Sequence, residues 1–164
     1  MQLAIGTDAL KSEIQEIVGD SLQDPLTASY VSELLVSPPI GTEEIRLNFI
    51  GLRYSEFPEM KLAHSREMGD RCLAIGIFYL EDLEREGQYL LDLGKSSYRV
   101  ASMYAFYLRR EDQGQTYASL SEQFFPAVAS LSYNMMRQLW GIHPPERIIV
   151  WTPDRERLVL SRGQ

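Results

Sequence analysis

A chain of 164 residues with 45% hydrophobic and 24% charged content is one globular domain by size, large enough to bury a core without a disulfide or metal staple. Its net charge of −7 works against a nucleic-acid role, because counterion release needs clustered Lys and Arg, and Arg109-Arg110 and the terminal Arg147, Arg155, Arg157 and Arg162 read as solvated ends of elements. One cysteine, Cys72, excludes an internal disulfide and a two-thiolate metal site, and neither a secretion leader nor a bilayer-length apolar run is legible, so the expected compartment is the cytoplasm and no membrane contact is expected.

Gln2 to Ile5 could form a short strand. Asp8 can cap a helix to about Val18, with Leu10, Ile14, Ile17 and Val18 on one side. Pro25 suits the first turn of a second helix carrying Leu26, Tyr30 and Leu34, which Pro38-Pro39 stops. Glu44 to Tyr54 is ambiguous. Ile45, Leu47 and Phe49 alternate with Arg46 and Asn48 at strand period, while Ile45, Phe49 and Leu52 also fit a helix. The strand is preferred here because the C-terminus offers partners.

A third helix is expected from about Pro58 to Leu83, and a fourth from about Gln88 to Arg110. The first carries Gly69, Cys72 and Gly76 on one face, the second Gly94, Ser97, Ala101 and Ala105. Each helix-interior glycine costs about 1 kcal/mol relative to alanine, so a compensating contact is expected. Two slim stripes let backbones approach closely, which predicts a tight antiparallel pair joined at Glu84 to Gly87. A fifth helix should open near Thr116 or Ser119, where Ser119-Leu-Ser-Glu122 has capping-box form. It carries Leu120, Phe124, Val128, Leu131, Met135 and Leu139 at helical spacing. Pro126 should kink or restart it near Phe124, and Gly141 should end it. Ile148 to Trp151 and Leu158 to Leu160 flank Thr152-Pro153-Asp154-Arg155, which fits a hairpin. The expected fold class is therefore α+β, mainly α: a bundle of about five helices (about 8–142) with a small C-terminal β-hairpin (about 146–161), in a single domain.

The run Gly69-Asp70, Leu73, Gly76-Ile77-Phe78, Leu83, Tyr89, Leu93-Gly94-Lys95, Ser97-Tyr98 resembles a pattern in a group of uncharacterised bacterial helical proteins. That pattern has a Gly-Asp pair, a Gly-Phe-Phe triplet, a Tyr-Tyr pair and a Gly-x-x-x-Tyr. Tyr30 to Leu35 is similar to their early Tyr-Leu-x-x-Leu-Leu stretch. The resemblance covers about half the chain. It departs at Ile77 and Leu90, where the group has Phe and Tyr, and at the C-terminal hairpin. It implies no function.

The candidate ligand- or partner-binding residues are Asp70, Lys95, Tyr98, Tyr104 and Tyr107. A mid-helix aspartate on a buried face needs a partner, and Lys95, Tyr98 and Arg71 are within plausible reach. The aromatics of Tyr104-Ala-Phe106-Tyr107 cover several helix faces, so some should meet solvent or a partner. No catalytic residue is assigned: no nucleophile elbow or phosphate-binding glycine loop occurs. No metal or cofactor is expected, since His64 and His143 are the only histidines and both read as surface or loop residues. The expected function is a non-catalytic protein-interaction, adaptor or regulatory module, with a protein partner or self-association. The alternatives are an enzyme using Asp70, Lys95 and Tyr98 between the helices at about 58–83 and 88–110, and a helical protein for a hydrophobic ligand.

Overall fold

A computed structural model describes residues 8–39, 43–79, 87–141, 147–151 and 157–161. Among the described residues seven helices form the body: α1 (Asp8–Ser21), α2 (Pro25–Val36), α3 (Glu43–Tyr54), α4 (Pro58–Tyr79), α5 (Gly87–Tyr107), α6 (Glu111–Glu122) and α7 (Phe124–Trp140). After them, β1 (Arg147–Trp151) and β2 (Arg157–Ser161) pair antiparallel, Arg147 opposite Ser161 and Trp151 opposite Arg157. The expected five-helix α+β class is thereby corrected: the body is all-helical, with seven helices. The expected N-terminal strand, the third helix beyond Tyr79, the connection from Glu84, the segment around His143 and the turn at Thr152-Pro153-Asp154 lie outside the described residues.

Two misreadings account for the difference. The segment expected as a third strand is α3. Its buried positions are Ile45 and Asn48, while Leu47 and Phe49 are exposed, so the alternating residues do not mark one buried face. The expected fifth helix is two helices. The acidic Glu111 and Asp112 in the first turn of α6 suit a helix N-terminus, and Ser119 to Glu122 form its last turn rather than its start. The chain turns at Gln123, and Pro126 then falls in the first turn of α7, where its missing N–H is harmless. Gly141 ends α7 in the left-handed region, at φ +61°.

The centre is α4, buried continuously from Cys72 to Phe78. Its most extensive neighbour is α5. Gly69 faces Tyr98, Gly94 faces Cys72 and Gly76 faces Leu91. Numbers rise on one helix as they fall on the other, so the pair is antiparallel; slim residues meet at Gly94 and Cys72, while Gly69 and Gly76 receive the larger Tyr98 and Leu91. On the other flanks α3 pairs with α4, and α1 packs on α2 and α7 through Ile14, Ile17 and Val18. Asp24 starts α2 by accepting from the Leu26 N–H at 3.3 Å and the Thr27 hydroxyl at 2.5 Å, with Pro25 in the first turn.

The end of α5 is a Schellman turn. The Arg110 N–H reaches the Ala105 carbonyl at 2.8 Å and the Arg109 N–H reaches that of Phe106 at 3.0 Å. Arg109 sits at φ +59°, a conformation glycine adopts without steric cost. Arg109→Gly is expected to raise stability by about 0.5–1 kcal/mol, read from denaturant unfolding. A loss of similar size would show that the Arg109 side chain contributes more than its backbone strain.

Candidate functional site

Asp70, one turn after Arg66 on α4, is held by two phenols. Tyr30 Oη on α2 donates to its Oδ1 at 2.6 Å, and Tyr98 Oη on α5 donates to the same oxygen at 2.7 Å. The Tyr98 ring is wholly buried because Gly69 leaves room for it; a Cβ there would lie 2.8 Å from the ring. Tyr117 on α6 stacks on Tyr98 at 6.1 Å and meets Tyr30 edge-on at 5.6 Å. One carboxylate thus ties α2, α4 and α5 together, and the rings extend the tie to α6.

Burial raises the Asp70 carboxyl above its ordinary value, although donation from Tyr30 and Tyr98 and the charge of Arg66 oppose it. Burial and the Asp70 charge raise both phenols, so they stay protonated donors. Burial alone would lower Arg66, but its neighbours Tyr117, Tyr30 and Asp70 outweigh that and hold it charged. Burial pushes the Cys72 thiol up to about 12, which leaves it an inert apolar group.

Of the residues expected to converge on Asp70, Tyr98 does. Lys95 does not: its Nζ donates to the Ser121 carbonyl at 2.7 Å, and Ser121 Oγ returns a bond to the Lys95 carbonyl at 2.9 Å. There the ammonium serves the C-terminal end of α6, where a cation is favoured. Arg71 points to Glu44 of α3, at 3.6 Å. The space beside Asp70 between α4 and α5 is taken by Tyr98. An open cleft of about 320 Å³ lies instead among α2, α4 and α6, lined by Tyr30, Glu33, Arg66, Asp112 and Tyr117 among others. Among the described residues no three His, Cys, Asp or Glu side chains converge to hold a metal ion, and no helix is long and apolar enough to cross a membrane.

Tyr104 and Tyr107 lie elsewhere. Tyr104 is half-buried, with Lys61 Nζ 5.8 Å from its ring centre, and Tyr107 is 72% exposed. The Lys61 contact puts the end of α5 beside the start of α4. Phe57 and Met60 are also exposed there, and Tyr54 at the end of α3 precedes them by a short turn.

The residues sequence reasoning missed are on α3. This helix is anchored to α4 by His64, whose Nδ1 lies 2.9 Å from Asn48 Oδ1 and whose ring fills the notch left by Gly51. Ile45, Asn48 and Leu52 face the body. On roughly the opposite side, at i, i+3 and i+7, stand Leu47, Ile50 and Tyr54, exposed by 66%, 43% and 72%. A surface helix ordinarily carries one apolar stripe, toward the core. Here there are two, and the outer one belongs to no buried cluster among the described residues. Its spacing is legible in the sequence once 43–54 is read as a helix.

No family model, curated protein or solved structure matches this chain.

Proposed function

We propose that this protein is a non-catalytic interaction module, an adaptor or regulatory subunit of the cytoplasm, that docks a protein partner on the outer face of α3. The observation that carries this is the second apolar stripe, Leu47, Ile50 and Tyr54, standing in water on a helix whose other face already serves the core. Large aliphatic and aromatic side chains in a row are the usual anchors of protein interfaces. The exposed aromatics at the start of α4 and the end of α5, Tyr107 among them, extend the apolar surface at that end of the body. Asp70 fits a structural role, since both hydrogen bonds to its Oδ1 come from side chains of the fold itself. The lone buried thiol of Cys72 suits a reducing compartment.

A photo-crosslinking residue in place of Tyr54 tests this in the native host. A covalent adduct with another protein is expected, and it should vanish when Ile50→Asp is added. Absence of any adduct, or one that survives Ile50→Asp, would refute docking on α3.

A further inference from the structure

We infer that the occupant of the outer α3 face is an amphipathic helix of a different protein, with Asp or Glu beside its apolar stripe. This rests on α3 being the docking face and adds what docks there. Leu47, Ile50 and Tyr54 form one ridge about 10 Å long, at 1.5 Å rise per residue. A ridge of that spacing interdigitates with another helix at the usual 8–10 Å axis separation.

The charges beside the ridge select the partner. Arg46 and Arg53 lie along one edge, both exposed, and neither has an ion pair among the described residues. Arg53 folds over the Tyr54 ring at 5.7 Å, so the basic edge adjoins the apolar ridge directly. On the opposite edge Glu44 is engaged by Arg71 at 3.6 Å, and the exposed Glu43 stands only at the first-turn end of the ridge, away from Arg53. A basic edge on a chain of net charge −7 is a local reversal, and an acidic flank complements it.

The same charges disfavour a second copy. Antiparallel self-pairing about Ile50 would set Arg46 beside the copy's Arg53, like against like. Parallel self-pairing leaves Arg53 without an acidic residue of α3 to face, because Glu43 and Glu44 both lie in the first turn. Two chains of charge −7 also repel at long range.

Two synthetic helical peptides test this with the full chain. Both carry leucines at i, i+3 and i+7; one places glutamates beside them and the other lysines. By fluorescence anisotropy at low salt, the glutamate peptide should bind about tenfold tighter or more, with the gap closing as salt is raised. Arg46→Glu with Arg53→Glu, both at exposed positions, should invert the preference, and Ile50→Asp should abolish binding of either peptide. Sedimentation should find the free chain monomeric. Equal binding of both peptides, lost in Ile50→Asp, would overturn the acidic partner while leaving α3 as a docking face. Binding of neither peptide would overturn the inference, and with no Tyr54 adduct the docking face falls too. A dimer that Ile50→Asp dissociates would assign the face to a second copy instead.

Discussion

Gly94→Leu is expected to destabilise the protein by about 3 kcal/mol or more, at or above the top of the usual range for overpacking a core. A Cβ at this position would collide with Phe124 Cζ, and would stand 2.8 Å from Cys72 Cβ and 2.9 Å from Phe124 Cε2. Cys72 Cβ is fixed to the α4 backbone, and Phe124 is wholly buried. The strain therefore falls on the separation of α4, α5 and α7 rather than on one flexible side chain. Gly76 is more forgiving, because its nearest neighbours are methyl ends of Leu91 and Val128 at 3.0 and 3.1 Å. Gly19 provides the control: nothing lies within 4 Å of its Cβ position, so Gly19→Ala should gain about 1 kcal/mol from helix propensity. Denaturant unfolding of these variants should rank them in that order. Wild-type stability in Gly94→Leu would refute the close α4–α5 contact.

Asp70→Ala is expected to cost about 2–4 kcal/mol, because it removes the shared acceptor of two phenols at once. Tyr98 bears most of the loss, being wholly buried, whereas Tyr30 lines an open cleft and can turn to water. Tyr98→Phe should cost less, about 1 kcal/mol, since it removes the donor without stranding another group. The carboxyl also gives a pH signature. Burial raises its folded pKa above the unfolded value of 3.8, so the folded state holds the proton more tightly. A group of that kind contributes stability that is complete below the unfolded pKa and lost as pH rises through the folded one. The stability of wild type relative to Asp70→Asn should therefore be greatest in acid and decline toward neutral pH. Paired unfolding curves at both ends of that window measure it. A difference that grows with pH would contradict the assignment.

Local spacing was the legible part of this sequence. The slim stripes at Gly69-Cys72-Gly76 and Gly94-Ser97-Ala101-Ala105 depend only on residues a few positions apart; they meet at Cys72 and Gly94, while Tyr98 and Leu91 fill the space at Gly69 and Gly76. Pro126 and Gly141 act through backbone geometry, so they too could be read in place. The need of Asp70 for a partner was legible, and Tyr98 is one. Tyr30, 40 positions away, was not, because nothing local says which tyrosine a distant helix will supply. Lys95 was misplaced for a related reason: its ammonium is drawn to the end of α6, a helix expected to begin several residues later. The largest error concerned α3. A helix apolar on two faces carries hydrophobic residues at odd spacings as well as helical ones, and over Ile45, Leu47 and Phe49 this imitates a strand. That second face is also the candidate docking surface, so one ambiguity concealed both the helix and its use.

The most direct measurement is thermal unfolding of Ile50→Asp set beside crosslinking from position 54 in the same variant. The new carboxylate would stand one turn from Arg46 and from Arg53, a favourable spacing, at a position 43% exposed. The expected result is a melting temperature close to wild type with the adduct gone. A melting temperature lowered by many degrees would contradict it, because Ile50 would then be a core residue and the outer side of α3 would have no surplus face to offer.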